Sequence, residues 1–340
     1  MPLCHPSTTH HPSRRSLGAK LAAAVLLPLA LTTVDLKAQP AEDLVSAAQE
    51  EASLTLYSNV DPAILEKLAD AFTEQYDITV DIQRQASSAL AQRFSTEASS
   101  GINLADVYLS SDRAFHEART ADGLFGSLDN VPGIAEWPQE ARWEGIAAVG
   151  YNPYSLVWNT QIVTEGLDSW EDLLDPKWAG KVLLTDPRAG ATSNQFYYML
   201  RDRYGEDFLR QLGKVATFSQ SAVPGIQQVA AGAQAIYAPG IHQVVVGLIG
   251  QGAPLGESFP NPTISSDNLV SIAGKAPHPK AAALFVSFLM TKDGQQILNP
   301  DGFSPIAGVP NTRKMPEVVT IDPKVAQEAT NEFATIMGLQ

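Results

Sequence analysis

The stretch Leu54-Thr-Leu-Tyr-Ser-Asn-Val-Asp61-Pro62, continued by Ile64 to Phe72 and by Ile78-Thr-Val-Asp-Ile82, decides the fold. Leu54 to Tyr57 is a short β-prone run. Ser58 to Pro62 is turn and cap chemistry, with Asp61 suited to an N-cap and Pro62 to a first helical position. Ile64, Leu65, Leu68, Ala71 and Phe72 recur at helical spacing, and Ile78, Val80 and Ile82 alternate as a second strand. The unit reads strand, loop, helix, strand. Its loop carries polar groups to the carboxyl end of a sheet beside a helix N-terminus, where open α/β proteins hold small ligands.

Residues 1–38 read as an export signal. Arg14, Arg15 and Lys20 form a basic start, and Leu21 to Val34 is apolar, broken by Pro28. That run is shorter than the ~20 residues of a spanning helix. Cleavage is expected near Ala38, giving a periplasmic protein. Ser13-Arg-Arg-Ser-Leu17 resembles a twin-arginine signal, and an ordinary basic n-region accounts for the same residues. The sole cysteine, Cys4, lies before the apolar run, so the mature chain has no disulfide, thiol nucleophile or thiolate metal ligand.

About 302 residues then remain, and single cores stop growing at ~250–300. Two lobes are therefore expected. Removing residues 1–38 leaves 19 basic against 36 acidic side chains, a net charge of −17. Such a surface repels nucleic acid. β-prone and helix-prone segments alternate throughout, which argues an α/β fold. Ala105 to Leu109, Val182 to Leu184, Ile236-Tyr237 and Asn268 to Ile272 read as strands. Asn194 to Tyr204 and Ile226 to Ala231 read as helices, and Pro279 to Leu298 as one long amphipathic helix.

Several ordered blocks together resemble the substrate-binding proteins of ABC importers, in the extracellular solute-binding family that includes the ferric-ion-binding proteins. They are Leu56-Tyr-Ser-Asn59, Phe72 to Val80, Ala105-Asp-Val107, Trp170-Glu-Asp-Leu-Leu-Asp-Pro-Lys-Trp-Ala-Gly-Lys181, and Gly274-Lys-Ala-Pro-His-Pro279 running on to Gln296. The resemblance spans roughly residues 52 to 312. It implies a type II periplasmic binding protein fold: two lobes, each a mixed sheet flanked by helices, with the ligand cleft between them. It also implies a division into residues 39–151 (first lobe), 152–256 (second lobe), 257–305 (return to the first) and 306–340 (a C-terminal segment on the second). The implied protein is a monomer without catalytic residues or cofactor. It captures a solute by lobe closure and hands it to a membrane permease and ATPase.

Loops at strand ends supply the candidate ligand groups. They are Ser58 and Asn59; Ser87 and Ser88; Ser111 and Asp112; and Arg188, Gly190, Thr192 and Ser193. Gly190 permits close backbone approach, and Arg188 suits a bidentate oxyanion contact. Tyr237 and His242 complete the set. These groups suit a small organic or phosphorus oxyanion. Ferric iron, with or without a bound anion, is the alternative, and Asp61, Asp112, Tyr237 and His242 are its candidate donors. The tyrosine pair that binds iron in parts of that family falls on His242 and Gln243 here. Tyr197 and Tyr198 lie elsewhere, and at helical spacing one faces the core and one the surface. A secreted α/β hydrolase and a solute-sensing subunit are the competing classes. No G-x-S-x-G elbow, P-loop or zinc-protease motif supports the first.

Overall fold

The computed structural model describes residues 42–313 and 315–339, with the backbone alone at 191, 192 and 323. The export-signal reading therefore lies outside the described residues. After helix α1 (Glu42–Glu51), the chain runs β1 (Ser53–Ser58), α2 (Pro62–Tyr76), β2 (Thr79–Arg84), α3 (Ser87–Ser99), β3 (Val107–Ser110) and α4 (Arg113–Ala121). Strands β4 (Arg142–Trp143), β5 (Ile146–Gly150) and β6 (Ser155–Asn159) follow, then two short 3-10 turns and β7 (Val182–Thr185). Next come α5 (Ala191–Tyr204), α6 (Glu206–Val215), β8 (Ala216–Ser219), α7 (Ala222–Ala230), β9 (Ile236–Gly240), α8 (His242–Gly250) and β10 (Leu255–Ser258). The chain ends with β11 (Asn268–Ile272), α9 (Pro279–Leu289), α10 (Lys292–Leu298), α11 (Pro323–Glu328) and α12 (Thr330–Ile336).

Two sheets result, ordered β2-β1-β3-β11-β5-β4 and β10-β6-β9-β7-β8. In the first, β1 pairs in parallel with β2 and β3, while β11 lies antiparallel between β3 and β5. In the second, β7 pairs in parallel with β8 and β9, while β6 lies antiparallel between β9 and β10. The chain passes from the first sheet to the second through residues 151–154 and returns through 259–267. It leaves again after α10, and α11 and α12 pack on the second lobe, where Phe333 meets Tyr197 and Tyr198.

Both faces of each sheet are covered, as buried mixed sheets require. On one face of the first sheet, Leu54 and Leu56 join Leu65, Leu68 and Phe72 of α2. Phe72 sits edge-on to Phe285 of α9, with ring centroids 5.1 Å apart. The opposite face holds Tyr57, Leu90, Phe94, Tyr108 and Phe125. In the second sheet, Leu156, Leu184 and Ile236 face one core, while Val157, Leu183 and Tyr237 face the other. The period-2 alternation of strand side chains produces this division.

Local chemistry sets the element ends. Asp61 caps α2 by accepting from the Ala63 amide at 2.9 Å, with Pro62 at the first helical position. The long helix expected over Pro279 to Leu298 is instead two helices. Thr291 ends the first and caps the second, its hydroxyl accepting from the Gly294 amide at 3.0 Å. Gly294 packs so closely on the Phe288 carbonyl that a Cβ would not fit, which fixes the break there.

Asp106, fully buried, ties three elements together. Its carboxylate accepts from the Thr55 amide at 2.7 Å, the His278 amide at 2.6 Å and His278 Nδ1 at 2.9 Å. Asp106→Ala leaves these donors without a buried acceptor. It is expected to lower stability by about 3 kcal/mol, read as a reduced urea midpoint at unchanged m-value.

His116 of α4 is also fully buried, with Nδ1 2.9 Å from Ser271 Oγ and Nε2 3.2 Å from Ser110 Oγ. Desolvation by burial pushes its pKa down to about 3. The unfolded imidazole takes up a proton near pH 6.5 while the native one does not. Stability supplied by the neutral ring is therefore complete above about pH 6.5. It is lost as pH falls toward 3, at up to ~1.4 kcal/mol per pH unit. Urea midpoints between pH 7 and 5 should fall in the wild type and fall less in His116→Asn.

Candidate functional site

The parallel strands β1, β2 and β3 all finish at one edge of the first sheet, where β11 begins. In the second sheet β7, β8 and β9 finish where β6 begins, since Ser155 pairs with Gly240. Both connecting segments join these edges, so polar loops of the two lobes meet along one seam.

On the first lobe, the loop after β1 folds onto itself, with buried Ser58 Oγ accepting from the Val60 amide at 3.1 Å. Asn59 then reaches across the strand ends. Its Nδ2 donates to Ser87 Oγ at 2.7 Å and to Ser111 Oγ at 3.0 Å. Three loops distant in sequence are thus gathered by one amide. A hydroxyl that accepts from Asn59 keeps its own proton to donate elsewhere. Ser87 opens α3, whose N-terminus carries no side-chain cap, and Ser88 is exposed on the same turn. Asn59 Oδ1 is buried without a partner among the described residues. Asp112 caps α4 through the Phe115 amide at 3.1 Å. Arg113 beside it pairs with Asp267 at 3.0 Å and stacks on the Trp143 ring at 4.1 Å.

On the second lobe, β7 runs into Asp186. This carboxylate is 3 % exposed and accepts from the Arg188 amide at 2.8 Å, Nε at 2.9 Å and Nη2 at 2.7 Å. Gln220 adds a contact at 3.2 Å. The Arg188 side chain, through these hydrogen bonds, holds the Asp186 carboxyl below the usual carboxylate range. Arg188 is thus oriented by its neighbour while its own side chain is 41 % exposed. Gly190, with φ of 152°, supplies the turn that opens α5, again without a side-chain cap. Thr192 lies in the first turn of α5, and Ser193 and Asn194 of that turn are buried. Asn194 Oδ1 also lacks a partner among the described residues. Two uncapped helix N-termini, one per lobe, therefore lie on the seam with neutral donors around them. The positive end of the helix dipole and free amide N–H groups favour a negative charge there.

Tyr237 and His242 sit differently from the loop groups. Tyr237 is fully buried in the core between β9 and α7, where its hydroxyl meets Thr185 Oγ1 and its ring leaves no room for a Cβ at Gly225. Burial pushes its pKa up to about 12. His242 has both ring nitrogens engaged. Nδ1 is 2.7 Å from Glu257 Oε2, and Nε2 is 2.7 Å from the Asp301 carbonyl of the first lobe. Asp61 and Asp112 cap helices. Among the described residues, no group of three or more His, Cys, Asp and Glu side chains is placed to hold a metal ion. Of the adjacent tyrosines, Tyr197 is buried, with its hydroxyl donating to the Thr185 carbonyl at 2.5 Å, and Tyr198 is half-buried.

Sequence reading missed Asn194, the Arg113–Asp267 pair and Glu257. Asn194 directly follows the helix-opening serine and was within reach of the same argument. Glu257 stands alone on a short strand and offered no pattern. A cavity of about 50 Å³ lined by Phe94, Leu104, Leu124 and Lys275 lies at the opposite end of the first sheet, away from these loops.

In the comparisons, residues 54–304 match the model of the family described as bacterial extracellular solute-binding protein. An uncharacterized protein of Haemophilus influenzae is 23% identical over 274 residues, covering 76% of this chain and 78% of its own. Among solved structures, the periplasmic binding protein AfuA from Actinobacillus pleuropneumoniae, with exogenous fructose-6-phosphate bound, aligns with a TM-score of 0.64 and 20% identity. The alignment covers 85% of this chain and 99% of AfuA. The Trichodesmium protein IdiA (FutA), in complex with iron and citrate, aligns with a TM-score of 0.67 and 18% identity over 84% of this chain and 98% of its own. These likenesses show the two-lobed periplasmic binding protein fold, and the family match carries the assignment: the chain belongs to the bacterial extracellular solute-binding proteins.

Proposed function

We propose that this protein is the exported, monomeric binding component of an ABC importer. It traps a small organic or phosphorus oxyanion between its lobes and delivers it to a membrane permease and its ATPase. The observation that carries this reading is the node at Asn59. One amide holds the hydroxyls of Ser87 and Ser111 at the uncapped start of α3, and α5 of the second lobe likewise starts uncapped after a strand end. The site is rich in neutral donors and holds a buried acceptor. That donor set suits an anion better than a hard cation, which asks for several anionic oxygens.

Closure completes a site shared by two half-sites. Each lobe alone offers one helix N-terminus and a few hydroxyls, so tight binding requires both. The solute then stabilises the closed form by its differential affinity for it. The proposed residues are Ser58, Asn59, Ser87, Ser88, Ser111, Asp112, Arg188, Gly190, Thr192 and Ser193, with Tyr237 and His242 supporting them from beneath and beside. Iron accompanied by an anion is the rival reading, supported by the iron and citrate in the Trichodesmium relative. The burial of Tyr237 weighs against it here.

A thermal-shift panel of organic carboxylates, phosphate esters, phosphonates and ferric salt separates the readings, because a ligand of the native state raises Tm. At least one oxyanion should raise Tm by several degrees. Asn59→Ala should weaken its binding about tenfold or more, while the ligand-free Tm shifts by only a few degrees. A visible charge-transfer band on ferric loading, lost on changing Tyr237, would favour iron.

A further inference from the structure

Glu257 is a buried carboxylate with one oxygen in use. Its side chain is 6 % exposed, and Oε2 is held by His242 Nδ1 at 2.7 Å. Oε1 is buried and has no partner among the described residues. The same holds for Ser258 Oγ, next along β10, and for Ser155 Oγ at the start of β6. All three stand at the end of the second sheet that meets the seam, but register divides them between its faces. Glu257 pairs with Val157 and Ser258 with Leu156, so these neighbours point to opposite faces, while Ser155, packed with Val157 against Gly240, shares the face of Glu257.

His242, which anchors Glu257, is itself held on its other side. A carbonyl only accepts, so His242 Nε2 donates to the Asp301 carbonyl of the first lobe, 2.7 Å away. Arg313 Nε donates to that same carbonyl at 3.0 Å. Phe259 and Phe303 stand edge-on around the imidazole. A carboxylate oxygen fixed this way and taken out of water is a strong acceptor awaiting a donor. Such an atom gains from any group that supplies a hydrogen.

We infer that Glu257 is a specificity-determining residue that accepts a hydrogen bond from a hydroxyl or ammonium group of the solute, with the Ser155 hydroxyl on the same face of the sheet and His242 as its positioning residue. The inference rests on the oxyanion reading above and extends it. The solute has two unlike ends: an oxyanion for the donor-rich loops and a hydrogen-bond donor for Glu257. Methyl phosphate has only the first end, glycerol 3-phosphate adds hydroxyls, and 2-aminoethylphosphonate adds an ammonium.

Isothermal titration of the mature protein with these three probes tests it. The wild type should bind glycerol 3-phosphate or 2-aminoethylphosphonate at least tenfold more tightly than methyl phosphate. Glu257→Met keeps the volume and removes both acceptor oxygens. It should weaken the donor-bearing probe about tenfold and leave methyl phosphate unchanged. A greater loss for the ammonium identifies it as the donor, and a greater loss for the hydroxyl identifies that group. If Glu257→Met does not fold, Ser155→Ala takes its place, with a selective loss of about fivefold. Equal loss for all probes, or none, overturns the inference and leaves the oxyanion reading standing. Binding of none of the three overturns the inference together with the phosphorus form of the oxyanion reading.

Discussion

The first sheet cannot be completed until the chain has built the second. Strand β11 lies between β3 and β5, yet it is made only after residues 155–258 have formed the other lobe. That one insertion forces two crossings between the lobes. It also places the start of β11 beside the end of β3, with Asp267 against Arg113. In the second sheet the first strand after the crossing, β6, lies antiparallel between β9 and β10. Each lobe therefore presents its strand ends, loops and helix starts toward the other, and the crossings tether both edges to one seam.

The seam is polar without being strongly charged. The first lobe supplies an amide and hydroxyls, and the second supplies an arginine already matched by Asp186. A net charge of −14 for the chain would hinder an anion at long range. Screening over roughly 8 Å at physiological salt makes that bulk charge weak compared with fixed donors at contact distance. Local donors decide what is held; the surface charge bears mainly on solubility.

Much of this was legible in the sequence where the signal was local. Asp61-Pro62 announced the start of α2, and Gly190-Ala-Thr-Ser193 announced a helix opening at a strand end. The ordered family blocks carried the architecture. What escaped was tertiary. Asn59 was readable as a loop residue, but its grip on Ser87 and Ser111 joins positions 28 and 52 residues away. Tyr237 reads equally as ligand or core until the alternation of β9 is set against α7 and Gly225. The division of α9 from α10 turns on a close approach at Gly294 that no periodicity reveals. Glu257 becomes notable only when its two oxygens are distinguished by their surroundings.

Native mass spectrometry of the protein as purified addresses the central claim most directly, because a solute held tightly between closed lobes would survive purification. The account predicts one small solute per monomer, identified by its mass as a carboxylate or phosphorus oxyanion. A monomer carrying only a ferric ion, or a solute with no anionic group, would contradict it.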